Sequence, residues 1–143
     1  MLCPSASETM ENPTVIGVVD ASAGKATIGY LKIPVTANSE LLALAGPYPT
    51  QVFRLAAACM KERCVHQAEG KCSLVTRVVE VLAKVTQKIP PCSIRAKCVW
   101  WDEHGADACL RCPQIITTNH QPSDAERIAA GPSAEFKLPP DTP

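Results

Sequence analysis

The sequence is poor in aromatic residues, has no charge excess of either sign and contains no long apolar run. Aromatics make up 4% of its 143 residues, so a core must be built mainly from Val, Leu, Ile and Ala. Fourteen Lys/Arg balance fourteen Asp/Glu, for a formal net charge of zero. A protein that grips a phosphate backbone normally carries a basic excess, so nucleic acid is not an expected partner. No stretch approaches the roughly 20 apolar residues that span a bilayer, and no membrane is expected as a partner either. The opening residues, MLCPSASETMENP, lack a charged start followed by an apolar segment, so no secretory leader is expected. Cys3 stands where a lipobox cysteine could stand, but the apolar segment before it is missing. The expected compartment is the cytoplasm, where thiols stay reduced.

Familiar catalytic signatures are also missing. There is no Walker-type phosphate loop, and Gly17, Gly24 and Gly29 have the wrong spacing for GxGxxG. Neither His-Glu-x-x-His nor G-x-S-x-G occurs. The Cys-x3-Cys-x2-Cys triplet of radical SAM enzymes is absent as well. Nothing in the sequence decides whether the chain is an enzyme; the reading leans to an electron carrier or accessory protein.

The sequence is rich in cysteine. Of eight cysteines, seven fall within the 54 residues from Cys59 to Cys112. In a reduced compartment such a cluster points to metal or redox chemistry rather than to a disulfide framework. Buried free cysteines do serve as small hydrophobes, but seven grouped at helix ends and loops are poorly explained that way. The pattern is Cys59-x4-Cys64-x7-Cys72, then a helical stretch, then Cys92-x5-Cys98-x10-Cys109-x2-Cys112-Pro113. A two-residue spacer lets Cys109 and Cys112 reach one metal centre. This Cys-x-x-Cys-Pro segment resembles one ligand segment of bacterial ferredoxins, over five residues. The full ferredoxin run is absent, so the resemblance implies iron–sulfur ligation and not that fold, and Cys-x-x-Cys also serves zinc and thiol–disulfide exchange.

Zinc sites usually draw on two Cys-x2–4-Cys knuckles, and only one such close pair exists here. The irregular remaining spacings favour an iron–sulfur cluster, of the 4Fe-4S type, in one or two copies, with zinc as the alternative. Cys92, Cys98, Cys109 and Cys112 can complete one four-thiolate site. Cys59, Cys64 and Cys72 are then one ligand short, with His66, Cys3 or an outside group as candidates for the fourth. A single shared cluster drawing on both groups is the rival arrangement. Cys59 and Cys64, five apart, face different sides of a continuous helix, so the chain must break between them if both bind one metal.

The neighbours of these cysteines have ordinary readings too. His66 reads as an exposed or hydrogen-bonded residue, His104 as part of a surface loop, and His120 has no partner nearby. Trp100-Trp101 can shield a cluster or form a docking surface, though one Trp of such a pair is commonly core. Arg63, Lys71, Arg95, Lys97 and Arg111 sit beside cysteines, where they can tune a potential or simply be solvated. From Cys59 to Cys112 nine Lys/Arg stand against six Asp/Glu, an excess that thiolates would offset.

The expected architecture is α+β: a small mixed domain over 13–131, after a flexible lead at 1–12 and before a Pro-rich tail at 132–143. The lengths suggest an N-terminal hairpin of Thr14–Val19 and Ala26–Val35, with Pro34 at an edge or end. Helices are expected at Ser39–Ala45, from Thr50 through Cys59, at Ser73–Ile89 and at Ser123–Ala130. Glu80 and Lys84 would form an i,i+4 pair, and Pro90-Pro91 would stop the central helix. Residues 92–120 read as irregular. The function expected is iron–sulfur electron transfer or redox sensing for a partner protein. The alternatives are a zinc-stabilised interaction module and an enzyme whose cluster leaves one iron open, the latter kept alive by the three-cysteine group.

Overall fold

The computed structural model describes residues 1–22 and 24–131; the expected Pro-rich tail lies outside them. The described residues form a small α+β domain. In chain order its elements are β1 (Leu2–Ala6), β2 (Thr14–Asp20), β3 (Thr27–Thr36), α1 (Ser39–Leu44), α2 (Pro49–Val52) and β4 (Phe53–Ala58). They continue with β5 (Gln67–Ala68), β6 (Lys71–Cys72), α3 (Ser73–Val81), α4 (Val99–His104), α5 (Ala106–Cys109) and α6 (Asp124–Ala130). None of its helices is long and apolar enough to cross a membrane among the described residues.

Four strands make one antiparallel sheet in the order β1-β4-β2-β3, and β5 pairs with β6 in a short hairpin. The expected hairpin is present as β2 and β3, and Pro34 sits on the edge strand β3, where a missing N–H costs no ladder bond. Gly17 lies at a register shift that β2 shows to both neighbours. A Cβ there would come within 2.5 Å of Ile28 Cγ2, so the two strands can approach only around a glycine.

Two expectations at the sheet need correction. The flexible lead is in part a strand, since Leu2–Ala6 pairs with β4. The helix expected from Thr50 through Cys59 stops after Val52, and Phe53–Ala58 is the strand β4. The run FRLAAA is apolar on both sides because β4 separates two cores. Ile16 and Ala56 pack with Val75, Val78, Val99 and Trp100 on one face. Val15, Leu55 and Ala57 pack with Ala6 and Ala37 on the other. A continuous apolar run of this length fits either a buried strand or a helix segment, and tertiary burial decides here for the strand.

The central helix is also shorter than expected, ending at Val81 rather than Ile89. Its next carbonyls are claimed from elsewhere: Arg111 Nε donates to Leu82 O at 2.7 Å and Gln114 Nε2 to Ala83 O at 2.7 Å. The Val85 N–H turns to Leu110 O at 2.9 Å. Pro90-Pro91 therefore terminates nothing, and Lys84 approaches Asp107 instead of Glu80. Residues 92–120, read as irregular, contain the short helices α4 and α5. At α6 the expectation holds: Ser123 caps the helix in a reciprocal capping box with Glu126.

The close approach at Gly17 gives a stability test. Gly17→Ala should destabilise the protein by about 1–3 kcal/mol, because the methyl group overpacks against Ile28. Urea denaturation of the purified chain measures this; an unchanged midpoint would show that the strands have room to spare.

Candidate metal centre

The eight cysteines are all free thiols and fall into two groups of four. Cys92, Cys98, Cys109 and Cys112 all line one cavity, together with Tyr30, Arg95, Trp100 and Trp101. Cys98 is buried, which pushes its thiol up to about 11, and nearby Cys112 and Cys92 push the same way. The Trp100 and Trp101 amides at the start of α4 act in the opposite sense, although neither forms a full capping hydrogen bond. Burial also raises the Cys109 thiol, opposed by the adjacent Arg95 guanidinium.

Two polar groups on this cavity face its cysteines: the Tyr30 hydroxyl lies beside Cys112 and the Arg95 guanidinium beside Cys109. Among the described residues, neither Tyr30 Oη nor Arg95 Nε makes a well-aligned hydrogen bond. Tyr30 is held far above its ordinary value by burial first and by Cys112 second. Arg95 lies over Trp101, 5.6 Å from the ring centroid, and donates through Nη2 to Pro90 O.

The second group is assembled from three segments. Cys3 lies on β1 opposite Ala57, and the pairing continues one step further through a Cys59 N–H bond to Met1 O at 3.0 Å. Cys3 and Cys59 are thus diagonal neighbours across the pair, roughly 7–8 Å apart. A 3-10 turn at Lys61–Arg63 then breaks the chain between Cys59 and Cys64, as shared ligation requires. Cys72 ends β6 and packs against the same core as Leu2 and Cys59. Burial pushes the Cys3 thiol up to about 11, with Cys72, Cys59 and Cys64 adding in that order to the repulsion. Burial likewise raises Cys72, which is eased by the Val75 and Leu74 amides at the start of α3.

The two groups share a local design. In each, a short basic 3-10 turn, Lys61–Arg63 or Arg95–Lys97, delivers the next cysteine, Cys64 or Cys98. In each, one cysteine, Cys72 or Cys98, stands at the N-cap of a helix. α4 also ties them together: it begins at Cys98, and the Glu103 carboxylate near its other end accepts the Cys72 N–H at 3.1 Å. A bridge between Leu2 and Cys98 makes a second tie.

His66 is not available as a ligand. Arg77 Nη2 meets His66 Nδ1 at 2.9 Å. A guanidinium only donates, so Nδ1 accepts, and the proton of the neutral ring sits on Nε2. Neither nitrogen then keeps a lone pair for a metal. His104 bonds Thr76 Oγ1 through Nε2, and His120 packs edge-on against Tyr48. Of the paired tryptophans, Trp100 is core and Trp101 is half-buried at the cavity wall.

The residue that sequence reasoning missed is Arg54. It is fully buried on β4, whose alternation places it with Ala56 on the cysteine side. Nε donates to Pro4 O, beside Cys3. Nη1 donates to Cys112 O and Ile115 O, each at 3.0 Å, and Nη2 to Cys112 Sγ at 3.0 Å. Its guanidinium also covers Trp100 at 5.5 Å. Burial opposes its charge, but Cys112 and Tyr30 outweigh that and hold it more firmly protonated than usual. None of the carboxylate ion pairs among the described residues includes it.

Among the described residues, no three His, Cys, Asp or Glu side chains converge closely enough to hold a single metal ion. Four sulfurs on one zinc, at about 2.3 Å each, would have to lie about 3.8 Å apart. Cys92, Cys98, Cys109 and Cys112 instead line a cavity.

Replacing Arg54 should be severe. Arg54→Met leaves the Pro4, Cys112 and Ile115 carbonyls buried without their donor, at about 1–3 kcal/mol each, so a loss above about 3 kcal/mol is expected. Arg127→Ala, which removes an exposed ion pair, should cost under about 1 kcal/mol. Denaturation of both variants checks this; equal stabilities would contradict the role given to Arg54.

Comparison with known proteins finds no matching family model, no matching curated protein and no matching solved structure.

Proposed function

We propose that the chain is an iron–sulfur protein of a reduced, cytoplasmic compartment that carries electrons for, or reports redox state to, a partner protein. The observation that carries this reading is the convergence of Cys92, Cys98, Cys109 and Cys112 on one cavity. Four thiolates are the ligand set of a 4Fe-4S cluster, and such a group spreads its ligands wider than a single ion does.

The surroundings suit an anion. A cluster with four thiolates is negatively charged, and two guanidinium groups, Arg54 and Arg95, stand at the cavity or on its ligand Cys112. A fully buried guanidinium with no carboxylate partner needs a compensating negative charge, and a metal-bound Cys112 thiolate provides one. The Tyr30 hydroxyl beside Cys112 is placed to donate to a ligand sulfur. Trp100 and Trp101 keep water from the cavity on one side, a lever that sets reduction potential together with hydrogen bonds to sulfur. When bound, the cluster would supply one-electron redox chemistry; the chain's part is to hold it, shield it and balance its charge.

Burial keeps Cys98 and Cys109 protonated at neutral pH, so ligation must expel their protons. Loading should therefore release protons and strengthen as pH rises from about 6.5 to about 8.5. A chelator competition at the two values measures the sign, and affinity that falls with rising pH would contradict thiol ligation.

Protein purified without oxygen should be brown, with iron and acid-labile sulfide in equal amounts. Cys109→Ala should lower both. Colourless protein carrying stoichiometric zinc would refute the cluster and leave the zinc-stabilised module as the better reading.

A further inference from the structure

We propose that Cys3, Cys59, Cys64 and Cys72 form a second complete four-thiolate centre for an iron–sulfur cluster, with the N-terminal strand supplying the fourth ligand. The inference deepens the reading of the chain as an iron–sulfur protein and rests on it. It converts a three-cysteine group with a vacancy into a closed site.

The argument starts from β1. Cys3 is separated from the other three by more than fifty residues, yet the β1–β4 register sets it diagonally beside Cys59. Leu2, Cys59 and Cys72 pack against one core, and the Cys72 N–H is held by Glu103 of α4. Cys98 at the N-cap of α4 bridges to Leu2, next to Cys3. Cys64 ends the 3-10 turn that follows Cys59. His66, the other internal candidate, spends its accepting nitrogen on Arg77. The ligand set is then sulfur alone, as in the first group.

The arrangement around each group is alike in kind. Each has a basic 3-10 turn before a ligand and a helix-capping cysteine. Each also has Arg54 at its border, through Pro4 beside Cys3 and through Cys112 Sγ. The Glu103 carboxylate holds the Cys72 amide, fixing the loop that presents that sulfur. Since every position of a cubane would meet a protein thiolate, this group leaves no open iron. That removes the feature on which an open-site enzyme reading rested.

The test is iron, sulfide and zinc analysis on full-length chain loaded without oxygen. Wild type should hold about eight iron and eight sulfide. Cys3→Ala should lower both by about half, while leaving the signal that Cys109→Ala removes. Cys64→Ala, on a separate segment, should give the same loss and decides the matter if Cys3→Ala does not fold. His66→Ala should keep the full load. Retention of about eight iron in Cys3→Ala and Cys64→Ala overturns the proposal. So does wild type with a single centre, lost in Cys109→Ala and kept in Cys3→Ala, which leaves the iron–sulfur function standing. Wild type with two zinc ions and no sulfide overturns the cluster reading beneath the proposal instead.

Discussion

The arrangement turns on a buried positive charge. Arg54 is wholly enclosed on the central strand β4, with three backbone carbonyls and one cysteine sulfur around its guanidinium. Carbonyls satisfy its hydrogen bonds but bring no opposite charge, which the adjacent Cys112 and Tyr30 side chains can supply, and a buried charge without a counter-charge is costly. The same side chain ties three distant parts of the chain together: the bulged strand after Cys3, the Cys112 turn and the loop at Ile115. A thiolate at Cys112 with a metal behind it would turn that cost into an attraction. Folding and metal loading are then expected to depend on each other, as they do wherever a site contributes to folding free energy.

The rest of the fold serves to carry cysteines to the two ends of this arrangement. The sheet presents Cys3 and Cys59 at one edge, and its inner face supports Arg54 and the core beneath α3 and α4. α4 spans from Cys98 at its N-cap to the Glu103 carboxylate that holds the Cys72 amide. With so few aromatics, two tryptophans and one tyrosine are concentrated on the cavity wall. The design is economical in regular structure: several cysteines sit on turns whose carbonyls and amides are used locally.

Much of this was legible in the sequence, and the failures have physical causes. The Cys109-x-x-Cys112-Pro segment, the β2–β3 hairpin and the Ser123 cap depend on local chemistry, and local patterns revealed them. Cys3 could be named only as one candidate, since no spacing links it to Cys59; strand pairing does. Arg54 was invisible because FRLAAA read as helix, where one arginine among apolar residues would point to solvent. Only the strand's alternation turns it inward. The central helix was overdrawn at its C-terminal end, because Arg111 and Gln114, about thirty residues away, take the carbonyls of Leu82 and Ala83. Side chains that compete for backbone from a distance leave no trace in local periodicity.

The account makes a claim about where metal sits and which metal it is. Anomalous diffraction from crystals grown without oxygen, recorded at the iron and zinc absorption edges, tests it most directly. Iron-edge density is predicted in two places, one enclosed by Cys92, Cys98, Cys109 and Cys112 and one by Cys3, Cys59, Cys64 and Cys72. Zinc-edge density at those places, or iron density bound elsewhere on the chain, would contradict the account.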